Sequence, residues 1–159
     1  MRESFGSTWL FQIVIVFILI FTGYICLSIN HSKAFAIKND IILELQRNGG
    51  YNATAAANVK TLLERSGYRT SGKCDKGWTG YTRDGKVDSN GKNSVFCLQK
   101  VDIAQAYAHQ NAYGKTIVEY PETFYYKIKV FYQLDLPVLN SFATFYVRGD
   151  TKVIAPLKS

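Results

Sequence analysis

The side chains able to do chemistry are few: three cysteines, two histidines and a scatter of carboxylates. Nucleophilic catalysis needs a cysteine or serine held against a positioned base. Zinc needs clustered nitrogen and sulfur ligands, usually with a Cys-x-x-Cys pair. His31 and His109 stand far apart, no Cys-x-x-Cys occurs, and no glycine-rich phosphate loop follows a strand. These absences argue against the familiar catalytic and metal chemistries. The chain is therefore read as a non-enzyme without catalytic residues, metal or cofactor. The remaining chemistry is oxidative. Cys74 and Cys97 bracket a segment rich in Gly, Ser, Lys and Asp, and an even pair in an oxidising compartment favours a disulfide. Closing that loop contributes about 3 kcal/mol in the chain-entropy account. Two thiols or two zinc ligands are the alternatives.

What positions that loop begins with a membrane helix. Residues 9–29 carry no charge, and about 20 apolar residues suffice for one bilayer crossing. The third cysteine, Cys26, falls inside this run and reads as a small apolar side chain. The organisation expected is a short head at 1–8, a transmembrane helix at 9–29, an extended helix and second helix at 30–66, and a disulfide-stapled loop with an antiparallel sheet at 67–159. Such a chain is a single-pass protein of the cell membrane with its C-terminal domain outside. A signal peptide cut after Ala36 is the alternative. The length of the apolar run and Lys33 at the cleavage region argue for the anchor. Within the run, Gln12, Thr22 and Gly23 are the residues suited to helix–helix packing in lipid.

Beyond the run, Ile37, Ile41 and Leu45 recur every fourth residue, so the helix is expected to continue to about residue 48, where Gly49-Gly50 breaks it. Asn52 is placed to cap a second helix carrying Val59, Leu62 and Leu63, closed by Gly67. Asn52 also opens a glycosylation sequon. Residues 71–93 read as loop, with turns at Asp84-Gly85 and Asn90-Gly91. Residues 94–101 read as a strand, and 104–116 are ambiguous. Along 123–136 the pattern alternates: Tyr126, Ile128, Val130, Tyr132 and Leu134 on one face, Lys127, Lys129, Gln133 and Asp135 on the other. Another strand follows at 141–147. The class is α+β: a long N-terminal transmembrane helix extended outside the membrane, packed with a second helix on one side of a small antiparallel sheet, the charged side being open to solvent.

Net charge is +7, from 19 basic and 12 acidic residues, without a block of consecutive cations. No nucleic-acid partner is expected. Lys127 and Lys129 beside Tyr125 and Phe131 form a mixed face suited to a polymer or partner protein. Arg148-Gly149-Asp150 spells an adhesion tripeptide, but Gly and Asp there serve equally as turn residues.

The head Met1-Arg-Glu-Ser-Phe-Gly6, running through Ser7-Thr-Trp-Leu-Phe-Gln12 into the apolar helix, resembles that of pilin-like proteins. So do the late strands Tyr126-Lys-Ile-Lys-Val-Phe-Tyr132 and Phe145-Tyr-Val-Arg-Gly149. The closest resemblance is to the TadE-like pseudopilins of tight-adherence pili. It implies prepilin-type processing between Gly6 and Ser7. It also implies a structural role beside other pilin-like subunits or a pilus assembly platform. Pilins usually place a glutamate five residues after the cut; here that position holds Phe11, followed by Gln12. The alternative function is a tethered extracellular module binding wall polymer or a partner protein.

Overall fold

The computed structural model describes residues 3–103, 123–133 and 144–155, with side chains from Thr8 onward. His109, the ambiguous segment 104–116, Leu134, Asp135 and residues 141–143 lie outside the described residues. The elements are α1 (Glu3–Arg47), α2 (Ala53–Arg65), β1 (Thr79–Tyr81), β2 (Phe96–Asp102), β3 (Phe124–Gln133) and β4 (Thr144–Asp150). An α+β arrangement of a long apolar helix, a second helix and an antiparallel sheet results.

α1 is one helix of 45 residues. It already includes the head from Glu3. Gly49 and Gly50 end it at φ of 65° and 135°, a backbone that side chains resist. The Gly50 amide donates to the Leu45 carbonyl at 2.8 Å, which satisfies a helix-end acceptor. α2 starts where Asn52 Oδ1 accepts from the Ala55 amide at 2.8 Å. Asn52 Nδ2 donates back to the Asn48 carbonyl at 3.0 Å, so both ends of the amide brace the turn between the helices.

The sheet runs β1-β2-β3-β4, every neighbour antiparallel. Its inner face meets the helices. Ala34, Ile37, Ile41 and Leu45 of α1 and Val59 and Leu63 of α2 join Phe96, Leu98, Ile128, Val130 and Val147 in one core. Burying each large aliphatic side chain is worth about 1.5–3 kcal/mol. Tyr68 is enclosed with them and donates its hydroxyl to the Phe131 carbonyl. Burial pushes that phenol's pKa up, with a smaller push from Tyr132. Pairing continues past β4: the Thr151 amide donates to the Tyr126 carbonyl at 2.9 Å, and Ile154 bridges Phe124.

Two expectations need correction. Residues 71–93 are not all loop: β1 pairs Gly80 with Cys97, and Gly72 bridges Ser94. Three residues centred on glycine carry no alternation to read. Gly80 is needed because a Cβ there would collide with the Ser94 side chain and reach the Cys74 sulfur at 3.0 Å. Nor is the charged side of the sheet open to solvent throughout: Arg148 and Asp150 are exposed, but its middle is covered. Lys129 and Phe131 are only 3% and 5% exposed, because residues 72–78 lie across them: Gly72 sits against the Phe131 ring, and Asp75 and Trp78 hold the Lys129 ammonium. The Cys74 and Cys97 sulfurs are at disulfide distance, with Cα atoms 5.9 Å apart, and that contact draws the segment onto the outer face.

Candidate functional site

Two surfaces carry the residues singled out from the sequence. The first is the N-terminal part of α1. Within Thr8–Arg47 an 18-residue apolar window has a mean hydropathy of 2.6, and none of that window is buried. Among the described residues it is the one helix long and apolar enough to cross a membrane. Trp9, Phe11, Phe17 and Ile20 are each more than three-fifths exposed, which water does not tolerate as a continuous patch. Gln12 lies in a shallow groove with Trp9, Ile13 and Val16.

The packing residues do not form one group. At ~100° per residue, Gln12 and Gly23 stand about 20° apart on the helix, on the side that Ile41 and Leu45 turn toward the sheet. Thr22 stands about 100° away. Its hydroxyl donates to the Ile18 carbonyl at 2.8 Å, within its own helix. An apolar ladder, Val16, Leu19 and Leu27, fills in the Gln12–Gly23 side. The Gly6–Ser7 peptide lies in the first turns of α1. A peptidase acting there has to unwind it, which glycine eases by about 1 kcal/mol relative to alanine.

The second surface is the outer sheet face. Strand register stacks it in rows: Gln99–Lys127–Asp150, then Cys97–Lys129–Arg148. Lys129 is held from three sides. Its ammonium donates to Asp75, lies 4.2 Å from the Trp78 ring centre and 5.3 Å from that of Tyr146. The Lys129 hydrogen bond, followed by its charge, holds the Asp75 carboxyl below the usual carboxylate range. Lys129 is thus spent on structure. Beside it, Trp78, Gln99, Lys127, Arg148 and Asp150 line an open cleft of ≈ 350 Å³. An aromatic wall, an amide and two cations with one carboxylate suit a hydroxyl-rich or anionic ligand. Sequence reasoning missed Trp78 and Gln99 because only the folded loop and the β2–β3 register bring them to Lys127.

Arg148-Gly149-Asp150 lies on β4, paired residue for residue with Lys129, Ile128 and Lys127. It is a strand segment, and the Arg148 guanidinium donates to the Tyr146 hydroxyl at 2.9 Å. His31 stands edge-on to Tyr132, ring centres 5.5 Å apart, a packing role. Among the described residues no three His, Cys, Asp or Glu side chains cluster as metal ligands. No family model matches the chain, and no curated protein or solved structure shows significant similarity to it.

Proposed function

We propose that this chain is a membrane-anchored, pilin-like structural subunit, of the pseudopilin kind, in a tight-adherence pilus or related secretion apparatus. It sits in the cell membrane as a single-pass protein with its sheet domain outside. The observation that carries the reading is the division of labour along one unbroken helix. The first part of α1 is apolar and exposed, whereas Ala34, Ile41 and Leu45 further along are 0% exposed in the core. A helix rooted in the domain this way transmits force to the sheet without a hinge. Its exposed part is held by lipid, or by the same part of neighbouring subunits during assembly. A signal-peptide cut after Ala36 would remove Ala34 from the core, which favours retention.

The test is photo-crosslinking in native membranes, with a benzophenone side chain at Val16, on the Gln12–Gly23 side, or at Phe21, on the opposite side. Subunit packing through the first side gives dimers or ladders from Val16. Monomer alone from both positions, with the protein in the membrane fraction, counts against assembly through α1.

A second reading, a tethered binding module, is favoured by the cleft at Trp78, Lys127 and Arg148. It requires full-length protein in detergent to be retained on anionic wall polymer at low ionic strength and released by salt. Absence of retention removes it.

A further inference from the structure

We propose that the end of the sheet formed by Tyr132, Phe145 and Tyr146 is seated in the headgroup layer of the bilayer that α1 spans. The inference rests on the membrane reading of α1 and adds where the domain sits: down on the lipid surface, not held clear of it on a stalk.

One hydrogen bond sets the height. Asn30 Nδ2 donates to the Gln133 carbonyl at 2.8 Å. Asn30 is the first residue beyond the apolar run 9–29, and the first charge after it is Lys33. At ~1.5 Å per residue that run spans roughly 30 Å, the thickness of the hydrocarbon layer. With the run in the bilayer, Asn30 stands where hydrocarbon gives way to headgroups, and Gln133 stands with it.

The sheet comes down to that level end-on. β3 runs against α1: near its start Tyr126 Oη lies 3.5 Å from the Tyr51 amide, just past the C-terminal end of α1, and at its finish Gln133 reaches Asn30, well inside α1. Register brings the start of β4 to the same depth, pairing Gln133 with Thr144, Tyr132 with Phe145 and Phe131 with Tyr146. The headgroup layer is about 5–8 Å deep on each side. One or two residues of strand, at ~3.3 Å each, fall inside it.

The side chains found there suit that layer. Tyr132 stacks on Phe145 with centroids 5.5 Å apart, on the α1 side of the sheet. Tyr146 meets Phe131 edge-on on the other side. Phe145 and Tyr146 are nonetheless 41% and 47% exposed. Aromatic rings with a polar rim concentrate at membrane interfaces. Cations stand just above: Arg148, bonded to the Tyr146 hydroxyl, and exposed Lys33, one turn past Asn30. Both are placed to reach lipid phosphates by snorkelling.

The test uses the full chain in liposomes and tryptophan as the depth probe. Trp9→Phe and Trp78→Phe clear the background. Phe145→Trp or, separately, Tyr146→Trp then places one indole at the sheet end, and Leu19→Trp places a control in mid-run. Seating in the headgroup layer predicts blue-shifted emission for both sheet-end probes. Most of it is lost to phosphatidylcholine nitroxide-labelled on its headgroup, and little to aqueous iodide. Loss to iodide and none to the labelled lipid overturns the proposal. Protection from both quenchers also overturns it, since another protein surface then covers the site. The control separates the causes. If Leu19→Trp is not quenched by an acyl-chain nitroxide, the membrane reading of α1 itself has failed. If it is quenched while the sheet-end probes are not, only the seating fails.

Discussion

The Lys129 ammonium lies 4.2 Å from the centre of the Trp78 ring, on the sheet face turned away from both helices. A lysine at the middle of an outward-facing row would ordinarily be solvated. Here its side chain is 4% exposed while its partner Asp75 is 68% exposed. The cation is covered, its counter-ion is wet, and the disulfide-bracketed segment carries the cover.

Truncating this lysine therefore acts through packing as well as charge. Lys129→Ala removes the stem between Trp78 and Tyr146 together with the cation–π contact and should destabilise the domain by about 2 kcal/mol. Lys129→Met keeps the stem and should cost less than half as much. Urea denaturation followed by Trp78 emission in a Trp9→Phe background measures both. Equal losses from the two variants would show that the stem contributes nothing.

Acid should loosen the same cover. The Asp75 pKa is lowered in the folded protein, so its contribution is present above the unfolded value of about 4 and is lost as pH falls through the folded one. Asp75→Asn should lower the melting temperature slightly at neutral pH and leave it closer to wild type at about pH 3. Because Asp75 is largely exposed, the difference will be small and should shrink with salt. A gap between wild type and variant that widens in acid would contradict the sign.

Gly72 has no room for a side chain. A Cβ there would overlap the Phe131 ring, so Gly72→Ala should destabilise by roughly 1–3 kcal/mol through overpacking. Phe131→Leu in the same chain should restore part of the loss. Additive losses in the double variant would place the strain elsewhere. Gly91→Ala is the comparison: its φ of 58° disfavours alanine, but nothing lies within 4 Å. It should cost only about 1 kcal/mol.

Processing at Gly6–Ser7 has a direct readout. Protein from its native membrane should have an intact mass lacking residues 1–6, and Gly6→Ala should retain them. Identical amino termini in both would exclude the cut. The same spectrum should show the Cys74–Cys97 bond as a mass lower by two hydrogens.

Much of this architecture was legible in the sequence because the signals were local. The uncharged run at 9–29, the fourfold spacing of Ile37, Ile41 and Leu45, the Asn52 cap and the Gly49-Gly50 stop each depend on neighbours within a turn or two. The alternation along β3 also sorted Ile128 and Val130 from Lys127 and Lys129. What covers each face was not in that alternation. Period two says which side chains share a side; it says nothing of a segment brought over them by a contact between Cys74 and Cys97. That is why Lys129 and Phe131, expected in solvent, are buried, and why Trp78 and Gln99 were not seen beside Lys127. The height of the sheet on α1 belongs to the same class of fact. Asn30 and Gln133 are 103 positions apart, and their bond exists only once α1 and β3 have packed. Local periodicity determined the elements and their apolar sides. Contacts between residues distant in the chain decided which polar side chains are enclosed and where the sheet stands along its helix, because burial depends on the matter opposite and not on the residue itself.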